Sequence, residues 1–432
     1  MDGAGGARGR WLAVAAWAVT RAVLLLCVLK VLVLPGPDVT TDVSVIYHGW
    51  AEVLRTGTFP LDDVTWQYPP AAAMAVLSPG LLPFLGYAPA FFVLVLLTDA
   101  ATLTLFLRAG RRPGHRAAGA WVWIVGVALL GPTGYARYDL MVTAVAVAAL
   151  LWAARRPRLA GALIAFGTLL KVWPALLLTG AALRGRGARA LWRSAARTGA
   201  GLTLLFVAAA PGALAFLTFQ RDRGTEVESL GGLVFHLARH YGWDGQVLLN
   251  YGSVEFLGPG VPLVSTLAVV LSGAALGWLV LWRTRARRFT RATPADAAFT
   301  ATLLFTTTSR VISPQYLLWL VGLAAVCLAV RGSRQTPPAV LVVLATGVTL
   351  LEFPVHFADV VASAPWGIAL LAVRNGLLVA ASLLACRRLW TATGAGRRGT
   401  GSGDGGHRLR RAPVPRTVTA PAAASHRPAT AG

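Results

Sequence analysis

In a chain that is 56% hydrophobic and 13% charged, every charged side chain outside a basic cluster needs a reason. An ionisable group at membrane depth is costly and usually marks a site or an ion pair. Asp38 and Asp42 lie in Pro37-Asp38-Val39-Thr40-Thr41-Asp42, just ahead of a stretch from 43 to 54 with helical periodicity that stops at Gly57. A carboxylate there could take a proton from an acceptor hydroxyl during group transfer; the plainer role for Asp42 is a helix N-cap. Arg137-Tyr138-Asp139 sets opposite charges two residues apart, either as a local ion pair or as a paired site for an anionic lipid head group. Lys171 stands in an apolar run beside the helix breaker of Val172-Trp173-Pro174, where snorkelling to an interface is the alternative to a site. The run from Arg221 to Ser229 (RDRGTEVES) contains Arg223 and Glu228. Solvated loop charge is its default reading, but guanidinium groups suit phosphate because they donate two hydrogen bonds in a fork. Arg310 precedes Ser313-Pro314-Gln315-Tyr316, and Arg374-Asn375 sits within the last apolar run. Arg374 should face the bundle and meet a phosphate or an acid, with Glu352 and Asp359 as candidate acids. Trp66-Gln67-Tyr68-Pro69-Pro70 reads as interfacial aromatic belt or as a stiffened pocket wall.

The elements that must position these residues are membrane spans. A soluble domain carries roughly 25% charged residues. With about half that and a mean hydropathy of +0.62, the 432 residues describe an all-α polytopic membrane protein of about ten to twelve helices. The net charge of +23 does not indicate nucleic acid. Six short segments (108–116, 153–158, 184–197, 283–291, 331–334 and 387–388) hold 21 arginines and no acid, the pattern of cytoplasmic loops, with attraction to anionic lipid as a secondary benefit. Spans are expected at 11–34, 88–107, 118–131, 140–154, 198–219, 259–282, 295–309, 312–330, 338–354 and 365–386. The run 69–85 holds Pro69, Pro70, Pro79 and Pro83, so it is expected to be re-entrant or interfacial. Counting it as a crossing would also place the cluster 108–116 outside. The stretch 159–183 has arginines on both flanks and Lys171 and Pro174 in its middle; it is one span that breaks the charge rule or a hairpin, and the hairpin keeps the parity of every later loop. The loops 35–67 and 220–258 then face outward and carry ten of the 17 acids. Residues 1–390 form the membrane domain, and 391–432, rich in Gly, Ala, Pro, Thr and Arg, form a disordered basic cytoplasmic tail. Both termini are placed inside.

Other chemistries leave no trace. No GxxxxGK[ST] loop indicates nucleotide hydrolysis, and the histidines are isolated or only loosely paired, so no metal and no cofactor are expected. Cys27, Cys327 and Cys386 all lie in apolar runs and suggest no disulfide framework. Cations around an outward cavity with loop carboxylates instead suggest a polyprenyl-phosphate substrate. Its tail would lie in the membrane and arginines would hold the phosphate, leaving a carboxylate to work on the transferred sugar. A transporter or lipid-linked-sugar flippase without transferase activity is the alternative, but it predicts inverted repeats, and none is visible.

An ordered set of features resembles glycosyltransferase family 87: Asp42 followed by Tyr47, Gly57 and Tyr68-Pro69-Pro70, then Arg137-Tyr138-Asp139, Lys171-x-Trp173-Pro174, Arg223-Gly224 with Glu228-Ser229, Ser313-Pro314-Gln315-Tyr316 and Arg374-Asn375. The resemblance implies the GT-C superfold of membrane glycosyltransferases, with a juxtamembrane or re-entrant segment in the first outer loop. It implies a polyprenyl-phosphate-sugar donor, usually mannose, an outward active site, inversion to an α linkage, and an envelope lipid or glycan as acceptor. It also implies a first-loop aspartate as general base, which falls on Asp42 by its spacing to Tyr47, with Asp38 second. Arg137, Lys171, Arg223, Arg310 and Arg374 are then expected at the donor phosphate. Tyr47, Tyr68, Asp139, Glu228, Gln315, Tyr316 and Asn375 are expected in the pocket. The excess of Arg, Gly and Ala resembles actinobacterial proteins.

Overall fold

The computed structural model describes residues 2–219 and 224–394. Its helices are α1 (Asp2–Val28), α2 (His48–Arg55), α3 (Ala72–Leu77), α4 (Tyr87–Gly110), α5 (Ala118–Leu129), α6 (Asp139–Trp152), α7 (Pro157–Leu170), α8 (Arg186–Ala209), α9 (Phe216–Phe219), α10 (Gly232–Arg239), α11 (Val261–Arg285), α12 (Thr293–Thr308), α13 (Tyr316–Ala329), α14 (Thr336–Leu350), α15 (Phe357–Val361) and α16 (Pro365–Thr393). Three short strands, β1 (Thr225–Glu226), β2 (Gln246–Asn250) and β3 (Ser253–Leu257), pair antiparallel in the order β1-β3-β2. The protein is all-α and polytopic. α1, α4, α11, α16 and the segment Thr336–Val355 are long and apolar enough to cross a bilayer. The helices around the centre are shorter. α13, hydrophobic on every side, is enclosed on all faces, as such a helix must be. α5 packs closely against it, antiparallel, through Gly119 at Ala325 and Ala329 and through Gly126 at Val321, because small residues let helix backbones approach.

Loop contacts sort the molecule into two ends. The Arg331 N–H bonds to the Gly114 carbonyl and the Arg116 N–H to Ala329, while Arg388 reaches the Arg334 carbonyl and the Arg287 N–H the Thr393 carbonyl. The arginine-rich segments 108–116, 283–291, 331–334 and 387–388 therefore gather at one end. At the other, Arg137 meets Val39 and Asp42, and Gly36 packs so closely on Pro354 that a Cβ would overlap its carbonyl.

The segment 69–85 does not cross. α3 is followed by one 3-10 turn, Ser78–Leu81, and those ten residues cover about 15 Å, half of the ~30 Å hydrocarbon core. The Ala71 N–H bonds to Leu169 at the end of α7, and the Tyr87 hydroxyl donates to the Val76 carbonyl, so the segment leaves and returns at the Asp42 end.

The stretch 159–183 is a hairpin of unequal kind. α7 stops at Lys171, whose backbone is extended (φ −160°, ψ 136°), and a 3-10 helix, Trp173–Gly180, follows. Pro157 lies beside Gly187, Gly161 beside Leu191, and Ala165 beside Gly199, so α7 and α8 run the same way and the 3-10 leg must return between them. Its far end is fixed where Arg283 donates to the Ala181 carbonyl. The 14 residues of α7 rise roughly 21 Å, and the eight residues of the 3-10 helix, at about 2 Å each, bring the chain back roughly 16 Å.

Three helix limits differ from expectation. α1 ends at Val28, not 34, because Lys30 takes a left-handed φ of 61°. α8 begins at Arg186, not 198, since arginine is a good helix former. The loop 220–258 carries the small sheet and α10. α16 continues to Thr393, past the expected end of the last span at 386; beyond 394 the tail lies outside the described residues.

Candidate active site

A cavity of about 350 Å³ opens at the Asp42 end, where both acidic loops meet α7, α12 and α13. Its wall includes Asp42, Tyr47, Tyr68, Lys171, Arg310, Gln315 and Tyr316 from the expected set.

Asp42 begins a π-helical turn, Asp42–Tyr47, that runs into α2. The turn makes no side-chain cap, so Asp42 does not serve as an N-cap. Its Oδ2 lies 2.8 Å from Nη2 of Arg137, its side chain is 33% exposed, and Oδ1 has no partner among the described residues. Asp38 is employed elsewhere. It accepts from the Thr40 N–H (2.8 Å) and hydroxyl (2.7 Å) and pairs with Lys30 at 2.8 Å. These bonds hold its carboxyl below the usual range against the opposing effect of its partial burial. It lines a separate pocket with Lys30 and Pro354.

Arg137 follows the 3-10 turn Gly131–Gly134 and precedes α6, where it is buried. Its Nη1 donates to the carbonyls of Val39 (3.0 Å) and Ala136 (2.9 Å) while Nη2 holds Asp42. The guanidinium thus fastens the carboxylate and the chain leading into it. Asp139, at the start of α6, is buried; its Oδ1 receives both Nζ of Lys171 and Nε1 of Trp319 at 2.7 Å, and Oδ2 has no partner among the described residues. The break at Lys171 delivers the ammonium here. It lies 5.2–5.7 Å from the ring centres of Tyr68, Tyr138, Tyr316 and Trp319, a cation–π cage. Tyr316 stacks on Trp319 at 4.0 Å, and Trp319 on Trp173 at 5.3 Å.

The loop between α12 and α13 presents Arg310, Gln315 and Tyr316, and Glu226 sets its shape. The two oxygens of Glu226 accept from the Ile312 N–H (2.5 Å) and the Ser313 hydroxyl (2.9 Å), and its own N–H donates to the Arg310 carbonyl. Glu226 thus clamps this loop.

Of the expected residues, Arg137, Asp139, Glu228, Arg374 and Asn375 are not in the cavity wall; Arg137 and Asp139 lie just behind it, holding Asp42 and Lys171. Arg374 is fully buried, with Nη2 at 2.9 Å from Glu352 and 2.6 Å from the Glu228 carbonyl, and Nη1 at 3.2 Å from that of Ile312. Asn375 donates to the same Glu228 carbonyl. They brace the back of the 309–316 loop. Glu352 is the acid Arg374 meets; Asp359 pairs with His356 instead. The Glu228 carboxyl is itself buried, and desolvation with the nearby acids Glu352 and Glu226 pushes it well above the usual range. Arg223 lies outside the described residues.

The sequence reading missed one fully buried network. Arg21 of α1 pairs with Asp99 of α4 at 2.7 Å and donates to the Ile124 carbonyl, while Trp123 Nε1 and the Tyr135 hydroxyl donate to Asp99. It also missed the turn of the β2–β3 hairpin, Tyr251-Gly252-Ser253, as cavity wall. Asp99 in an otherwise apolar run was the available signal for the first; the second had none.

The sequence profile of glycosyltransferase family 87 matches residues 66–314, more than half of the chain. The chain belongs to glycosyltransferase family 87. No curated protein matches it significantly. As a member of family 87 it is a membrane glycosyltransferase, and the cavity is its candidate active site. The matched stretch includes Tyr68, Arg137, Asp139, Lys171 and Arg310. Asp42 precedes it, so within this family-87 chain the case for Asp42 rests on geometry.

Proposed function

We propose that the protein transfers a hexose, mannose by the family resemblance, from a polyprenyl-phosphate donor to a hydroxyl of an envelope lipid or glycan. The observation that carries this reading is Asp42, whose carboxylate lies in the cavity wall with one oxygen held by Arg137 and the other left to the cavity. A positioned carboxylate of this kind can act as general base.

The acceptor hydroxyl would give its proton to Asp42 as its oxygen bonds to the anomeric carbon. The bond from that carbon to the phosphate oxygen breaks on the opposite face, and polyprenyl phosphate leaves with the electron pair. A β-linked donor then yields an α-glycoside. Lys171 and Arg310, both in the cavity wall, are our candidates for the leaving phosphate, where electrostatic stabilisation is the main demand. Arg374, enclosed behind the wall, is withdrawn from that role, and Arg137 is assigned to Asp42. The gathered arginine loops support a cell-membrane orientation with both termini cytoplasmic and the cavity at the outer face.

The test compares membranes holding wild type and Asp42→Asn at equal expression, with radiolabelled polyprenyl-phosphate mannose as donor. Loss of about 10²–10⁴-fold in transfer is expected for a general base. Unchanged transfer by Asp42→Asn removes the base assignment. An inert wild type with this donor removes the mannose assignment.

A further inference from the structure

The second acidic loop reaches the cavity through a single turn. β2 and β3 pair from Gln246 with Leu257 to Asn250 with Ser253, leaving Tyr251 and Gly252 as a two-residue hairpin loop. Both have positive φ, 49° and 77°, as in the type I′ turn that suits the twist of paired strands. That turn strongly prefers Asn or Asp, followed by Gly. Gly252 obeys the preference. Tyr251 does not, and a bulky aromatic in the left-handed region is a genuine outlier. Such outliers persist where the surroundings hold them, and they cluster at ligand sites.

The surroundings here are the first acidic loop. Nε2 of Gln67 donates to the Tyr251 carbonyl at 3.1 Å, and a Cβ on Gly252 would rest 3.6 Å from Thr65. Trp66, between Thr65 and Gln67, packs edge-on against Trp50 at 5.1 Å, and Trp50 stacks on Tyr47 at 5.5 Å. The turn is thus tied to the helical segment that starts at Asp42, and Tyr251, Thr65, Gln67, Trp50 and Asp42 all line the cavity. The phosphate candidates Lys171 and Arg310 come from other elements. The hydroxyl to be deprotonated must sit at Asp42, so a residue fastened to the Asp42 elements is placed to meet the acceptor.

We infer that Tyr251 is a specificity-determining residue whose ring forms one wall of the acceptor subsite and takes the apolar face of the acceptor sugar. This rests on the proposal that Asp42 serves as base. An aromatic at this turn position gives up local conformational stability; a contact with substrate would account for retaining it.

Tyr251→Asn provides the test, because Asn is the residue the turn prefers and the variant should fold at least as well. Transfer is measured in membranes over a dilution series of lipid extract from the expressing cells, with octyl α-mannoside as a defined acceptor beside it. The acceptor KM should rise by about three- to tenfold, the loss of one aromatic contact, while the donor KM moves less than about twofold. Tyr251→Phe should recover most of the loss. An unchanged acceptor KM for Tyr251→Asn in active membranes overturns this inference and leaves the proposed function standing. An equal rise in both KM values also overturns it, since the turn would then shape the whole cavity. Wild-type membranes inert with every polyprenyl-phosphate hexose offered overturn the proposed function and this inference with it.

Discussion

Asp139 lies buried behind the cavity wall, where it holds the wall residue Lys171. A buried carboxylate must be paired, and here Lys171 pairs it while Trp319 shares the same oxygen. Removing one partner strands the other charge, at a cost of about 3–5 kcal/mol, whereas replacing both by apolar groups of similar volume is often neutral. Lys171→Met alone should therefore lower the thermal stability of the detergent-solubilised protein markedly. Lys171→Met with Asp139→Leu should regain most of it and still lose most of its activity, because the cavity would lose one of its two candidate phosphate cations. Thermal denaturation followed beside transfer activity separates the two effects; equal stability of the single and double variants would contradict the pairing. Arg137 differs in kind. It joins Asp42 to two carbonyls through a planar fork that one ammonium cannot reproduce.

At the scale of elements, the small sheet and α10 form a unit that meets the end of α15 and the turn after it through His236, Arg239 and His240. His236 lies between the Val227 carbonyl (2.9 Å) and the Ser363 hydroxyl (2.8 Å), and Arg239 donates to the same Ser363 oxygen. Burial is the largest cause that pushes this imidazole down to about 4 from its ordinary 6.5. The folded protein holds it neutral where the unfolded chain would take up a proton, so the stabilisation is complete above pH about 6.5 and falls as pH drops toward about 4. Amide hydrogen exchange in 225–257, corrected for its intrinsic pH dependence, should show less protection at pH 5 than at pH 7. His236→Gln, which cannot be protonated, should remove the difference.

Over the whole molecule, the gathering of arginine loops at one end and of Asp42, Lys171 and the hairpin at the other predicts a sidedness. A cysteine at Asn250, in Asn250→Cys, should react with a membrane-impermeant maleimide in intact cells. One at Arg186, in Arg186→Cys, should react only after permeabilisation. The reverse pattern would invert the proposed orientation. The mark at Arg186 also tests the hairpin at 159–183, because a single crossing there would move α8 to the opposite side.

What the sequence determined by itself was the class of solvent and the parity of the spans. Hydrophobic length and arginine placement are one-dimensional quantities, and the bilayer reads them nearly residue by residue. That is why the re-entrant segment at 69–85 and the fold-back at Lys171 were legible from prolines and charge. The resemblance to family 87 likewise rested on short motifs in order. Which charged groups share a site is another matter, because it depends on pairings between residues far apart in the chain. Arg137 and Arg374 look alike in sequence, each a lone arginine beside a polar residue. Only the packing decided that one holds Asp42 at the cavity while the other closes on Glu352 behind it. Arg21 and Asp99, 78 residues apart, neutralise each other inside the bundle, and neither run alone could reveal its partner. Tyr251 reaches the cavity because strand register and the Gln67 bond carry it there, and those are properties of the folded chain.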